Sequence, residues 1–94
     1  MARRKIAEFV LVEGRPTVRG ECDSSNAAEL KAWLIGFGQK PLEVDLSEVT
    51  FLDAAALDAF IVAALNNPRL RVVKPSPPVQ RVLDITRTRW LLAD

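Results

Sequence analysis

The sequence predicts an α/β fold: a small mixed β-sheet of about four strands, flanked by three to four helices in the order β-β-α-β-α-β-α. Three observations carry this. Two apolar runs near the start, Ala7–Val12 and Pro16–Cys22, are joined by the turn residues Glu13, Gly14 and Arg15, which is the pattern of a hairpin. Beyond residue 26, helical and strand-like periodicities alternate, which demands parallel pairing of the later strands through right-handed crossovers. The length of 94 residues suits one domain over residues 1–94 with one modest core.

The hairpin comes first, with Pro16 tolerable at the start of a strand. Asp23, Ser24, Ser25 and Asn26 then cluster as helix-starting residues, and Asn26 with Glu29 has capping-box spacing. Ala27, Leu30, Leu34 and Phe37 form one face of that helix, with Trp33 beside them. Gly36, Gly38 and Pro41 end it. In "LEVDLSEVTFL", Leu42, Val44 and Leu46 alternate with charged residues, and Val49 and Phe51 lead toward Asp53. Ala54–Leu65 is helical by composition, capped by Asp53 and stopped by "NNP". Leu70, Val72 and Val73 make the last strand. Ser76 then caps a helix with Pro77 at its first position and Val79, Val82, Leu83 and Thr86 on its face. Trp90, Leu91 and Leu92 are expected to pack back on the body.

Composition excludes several classes of function. There is no histidine and only one cysteine, Cys22. Histidine-based nucleophilic catalysis is therefore ruled out, and the usual zinc sites lack their ligands. The four glycines match no nucleotide-binding fingerprint. Nothing points to an enzyme, a cofactor or a metal. The lone cysteine suits a reducing compartment, and no run is long and apolar enough for a membrane span, so a cytoplasmic location is expected. Net charge is +1, with six basic and two acidic side chains gathered in residues 69–94. That gathering, without interleaved aromatics, does not make a nucleic-acid surface.

The segments "VRGECD", "VDLSEVTFLDAAALDAF" and "LRVVKPSPPVQRVLDIT", in that order, resemble the STAS domain shared by anti-sigma factor antagonists and the tails of sulfate transporters. The resemblance covers about residues 8–92. It implies a non-catalytic, bacterial, cytoplasmic regulatory module that docks an anti-sigma factor or serine kinase through the N-terminal end of the second helix, in partner switching that controls transcription. In such antagonists a serine after the capping aspartate is phosphorylated. Carried over by position, Asp53 is that aspartate, Ala54 stands in the serine position, Ala56 in a glycine position and Leu57 in a leucine position. The glycine usual after the third helix is also missing, with Arg87 or its neighbour there. Alanine takes no phosphate, so this chain lacks the switch, whether naturally or by substitution. The alternative is a small accessory subunit of a membrane lipid-transport ATPase complex, which needs no switch. Either way the partner is a protein, with no nucleic acid and no direct membrane insertion, and self-association into a homodimer stays open.

The residues of the second helix add their own indication. On a helical wheel Leu57, Phe60, Ile61 and Ala64 point one way, and Ala55, Asp58, Ala59 and Val62 the other. The second set is small and apolar where a surface helix is normally polar. Either the first or last helix covers it, or it is scattered exposed apolar surface without a role, or it forms a docking strip. The candidate partner-binding residues are Asp53, Ala54, Ala55, Asp58, Ala59 and Val62. Thr50 is the nearest hydroxyl before Asp53 and a lesser candidate for modification. Asp23 and Asp45 read as loop and cap residues rather than a catalytic pair.

Overall fold

The computed structural model describes residues 6–93. Its elements follow the expected order: β1 (Ala7–Val12), β2 (Arg15–Cys22), α1 (Ala27–Ile35), β3 (Leu42–Leu52), α2 (Ala54–Asn66), β4 (Leu70–Val73), α3 (Pro77–Thr86) and a 3-10 turn over Arg89–Leu91. One mixed sheet runs β1-β2-β3-β4. β1 and β2 are antiparallel, and the β2/β3 and β3/β4 pairs are parallel.

The hairpin turn is tighter than its residues suggested. Val12 pairs with Arg15, so only Glu13 and Gly14 remain in the turn. Their φ values of 51° and 81° are both left-handed, the geometry of the two-residue turn whose twist matches a hairpin. β2 therefore begins at Arg15 rather than Pro16.

The register sorts the sheet into two faces. Val18, Leu42, Val44, Leu46, Leu70 and Val72 are buried on one face, beneath the helices. The other face is mostly polar. There Arg19 pairs with Glu48 at 3.0 Å and Arg15 with Glu43 at 3.6 Å, exposed pairs that water and salt screen and that add little to stability. Right-handed crossovers place α1 and α2 on the same side of the sheet, where they pack against each other. Leu30 and Leu34 of α1, Leu57 and Phe60 of α2 and Val79 and Leu83 of α3 join one core.

Two irregularities shape β3. Thr17 pairs with Asp45 but Arg19 with Glu48, and Gly20 pairs with Val49 but Glu21 with Phe51. Each time β3 has one residue more than β2, which is a bulge. Strict alternation would bury every second residue, whereas burial here runs Leu42, Val44, Leu46, then Val49, then Leu52. Phe51 is consequently turned to the exposed face, where it is 49% accessible.

Local caps also differ from simple reading. Asn26 does not cap α1; its Oδ1 accepts from the Asp23 N–H and its Nδ2 donates to the Glu21 carbonyl. Ser76 does not cap α3 either. It is buried, its N–H donates to the Leu46 carbonyl and its Oγ to the Val49 carbonyl. Thr86 is exposed rather than part of the α3 face, and Trp90 is half exposed while Leu91 does the packing. The outer edge of β4 is met by the C-terminal segment, with the Ala93 N–H donating to the Val72 carbonyl.

Two backbone positions give measurable expectations. Gly20 has φ +90°, and a Cβ there would clash with the Ile6 carbonyl oxygen. Gly20→Ala is expected to cost on the order of 2–3 kcal/mol in denaturant unfolding, from strain and clash together. Arg87 ends α3 at φ 59°, with the Thr88 N–H donating to the Leu83 carbonyl. This is the left-handed helix end that glycine normally supplies. Arg87→Gly is expected to raise stability by about 0.5–1 kcal/mol in the same measurement.

Candidate functional site

The site is built where β3 hands over to α2. Asp53 adopts an extended backbone, and its Oδ1 accepts from the Ala56 N–H at 2.9 Å. This is the capping bond the sequence led one to expect. Its second oxygen does something the sequence did not disclose. Oδ2 accepts from the Ser24 N–H at 3.1 Å, across 29 residues of chain. The Asp53 N–H in turn donates to the Cys22 carbonyl. The mouth of α2 is thus tied to the β2–α1 loop through both the backbone and the carboxylate of one residue.

That loop is itself ordered by local bonds. Asp23 Oδ1 accepts from the N–H and Oγ of Ser25, and these bonds, the hydroxyl's foremost, hold the Asp23 carboxyl below the usual range. Asp45 is far from this cluster in role. Burial pushes its pKa up, but bonds from the Ser47 N–H and Oγ outweigh this and leave it lowered. Asp23 is a loop residue, as its position suggested, whereas Asp45 lies within β3, paired with Thr17 and Val73; each is occupied with its own serine.

Beneath the mouth lies Cys22, fully buried. Burial first, then the nearby charges of Asp23 and Asp53, push its thiol up to about 11. A thiol held neutral is a poor nucleophile. Among the described residues no cluster of His, Cys, Asp and Glu could hold a metal ion.

The candidate partner-binding residues separate into two groups. Ala54 and Asp58 are exposed, and Asp53, Ala55 and Val62 are half-buried. Ala59 is 3% accessible and belongs to the core. The wheel placed it outward because the buried arc was drawn too narrow. α2 must cover both the sheet and α1, so its buried arc takes in Ala56, Ala59 and Ala63 beside Leu57, Phe60 and Ala64. Small side chains on that row allow close helix packing. The exposed strip is correspondingly rotated and includes Leu65, 74% accessible, which sequence reasoning missed. Its signal was available: Leu65 lies four and seven residues from Ile61 and Asp58, on the Asp58 side of the wheel. Thr50 is exposed at the second bulge, on β3 rather than on α2.

Parallel strands with helices crossing between them, and an aspartate-anchored helix mouth beside the β2 end, define a STAS-type α/β module. A family model described as "Mlab, STAS domain" matches residues 10–92, and the chain belongs to that family. No curated protein sequence matches it. No helix of the described residues is long and apolar enough to cross a membrane.

The raised Cys22 pKa sets a pH dependence. The unfolded thiol ionises near its ordinary value of 9.0, and the folded one only near 11. Above pH 9 the unfolded state binds fewer protons, so stability falls as pH rises toward 11. Urea titrations of the parent should show this decline. The Cys22→Ala variant, less stable overall, should lose that share of the slope. Alkylation at neutral pH should modify Cys22 only on unfolding.

Proposed function

We propose that this chain is a non-catalytic docking module that holds a protein partner through the N-terminal turn and exposed strip of α2, without a phosphorylation switch. One observation carries the reading. Asp53 locks the helix mouth in place, and the first turn beyond it offers Ala54 and Ala55 where a switchable hydroxyl would stand. A phosphate there would add about −1.5 to −2 charges to the docking surface. An alanine keeps that surface permanently in one charge state. The strip of Ala54, Ala55, Asp58, Val62 and Leu65 combines small side chains, which allow close approach, with apolar area at about 25 cal/mol per Å² before association costs.

Two partner classes suit such a surface. The accessory-subunit reading, a STAS protein bound to a membrane lipid-transport ATPase, is the better supported. A permanently bound subunit loses nothing with the hydroxyl, whereas an antagonist of an anti-sigma factor loses its regulation. The antagonist reading draws on the capping aspartate and the flanking strand pattern, which fit a form held ready to bind an anti-sigma factor or its kinase.

Co-purification from the source cell followed by calorimetric titration with the recovered partner tests the proposal. Ala55→Arg and Leu65→Glu should weaken binding at least tenfold, about 1.4 kcal/mol, with melting temperatures close to the parent's. Ala54→Glu is the sharper variant. A carboxylate in the first turn favours the helix dipole by roughly 0.3–1 kcal/mol, so stability should hold or rise while binding falls. Unchanged affinity in all three folded variants would refute docking through α2.

A further inference from the structure

The two edges of the sheet are finished differently. The β4 edge is met by Leu92 and Ala93. The β1 edge pairs with β2 alone and is covered by nothing among the described residues. Open edges are ordinarily blunted by lysine, proline or a bulge. Ile6–Val12, "IAEFVLV", contains none of these, and its pairing with β2 is regular from Ala7 to Val12. Ile6, Leu11 and Val12 are 41%, 59% and 38% accessible.

We infer that β1 is a self-association edge, and that two copies of this chain pair antiparallel through it about a two-fold axis centred on Phe9. The register follows from hydrogen-bond parity. Val12 and Arg15 close a two-residue turn and so exchange their backbone bonds. Counting back, Val10, Glu8 and Ile6 also face β2, as the bond from the Glu21 N–H to the Ile6 carbonyl confirms. The backbone groups of Ala7, Phe9 and Leu11 therefore point outward. A two-fold axis must place these residues opposite one another. Centring on Phe9 pairs Phe9 with Phe9 and Ala7 with Leu11, and uses every outward group of the strand.

Charge selects the same arrangement. Glu8 is the only charged residue from Ile6 to Val12. Centring on Phe9 sets it opposite Val10 of the second copy. A parallel pairing in register, or centring on Glu8, would place the two carboxylates face to face. The side chains also suit: Phe9 lies tilted against Trp33 at 5.6 Å, and Trp33 meets Phe37 edge to face at 5.1 Å. The two-fold brings two such aromatic rows together on the helix side, and Leu11 loses its exposure. The product is a continuous sheet across two copies that leaves both α2 surfaces free. One strand edge and its flanking row make a small interface, so the dimer should dissociate on dilution rather than be obligate.

Sedimentation velocity over a dilution series of the full chain tests this. The parent should shift from a mass near twice 10.4 kDa toward 10.4 kDa on dilution. Leu11→Pro removes an outward N–H while sparing the bonds to β2, and Leu11→Lys charges the edge. Both should stay monomeric at concentrations where the parent is dimeric, with circular dichroism and melting temperature near the parent's. A Phe9→Cys, Cys22→Ser double variant should form an intermolecular disulfide on mild oxidation. A parent that is monomeric up to its solubility limit, an edge occupied only by another protein's strand, or dimers unaffected by both Leu11 variants would overturn the inference.

Discussion

Satisfying the backbone of β3 is the constraint on which the molecule is arranged. This strand has eleven residues, but β4 reaches only its first four, Leu42–Asp45. Past that point the β4 side of β3 would present orphan carbonyls to the core, at a cost comparable to a lost hydrogen bond each. Ser76 meets both needs at once, its N–H serving Leu46 and its Oγ serving Val49. A residue whose position reads as a helix cap is therefore spent on the sheet, and α3 starts where β3 requires it. Pro77 at the first helical position loses nothing by this, because its nitrogen has no hydrogen to satisfy.

The far end of the same strand makes the site. β3 continues beyond β4 so that it can deliver Asp53 beside the end of β2, within reach of the Cys22 carbonyl and the Ser24 N–H. One carboxylate then serves α2 and the β2–α1 loop together, so the helix mouth is held by an element other than its own. This matters for the docking proposed above. A surface with methyl groups and no switch gains affinity chiefly from being preorganised, and Asp53 supplies that order from below while Ala54 and Ala55 remain accessible.

Much of this was legible in the residues. Element order, the parallel pairing of β2, β3 and β4, the capping bond of Asp53 and the family all follow from periodicity, turn chemistry and motif order. Where reading failed, a partner outside the helix had taken a group that capping rules assign to it: Asn26 went to the Glu21 carbonyl of the preceding strand, and Ser76 to the distant β3. The α2 wheel failed for a related reason. Its period was right, but the width of the buried arc depends on α1 lying alongside, and Ala59 went to the core while Leu65 went to the surface.

The sequence by itself determined which segments are strands and helices, the place of the helix mouth and its lack of a hydroxyl, because spacing, caps and side-chain chemistry are local properties. Only the tertiary structure decided the two bulges of β3, and with them that Leu52 is buried while Phe51 faces out. It alone joined Asp53 to Ser24 and left the β1 edge open beside a covered β4 edge. Register, bulges and edge pairing depend on which backbone groups find partners across the fold, and no stretch of chain encodes its partner on its own.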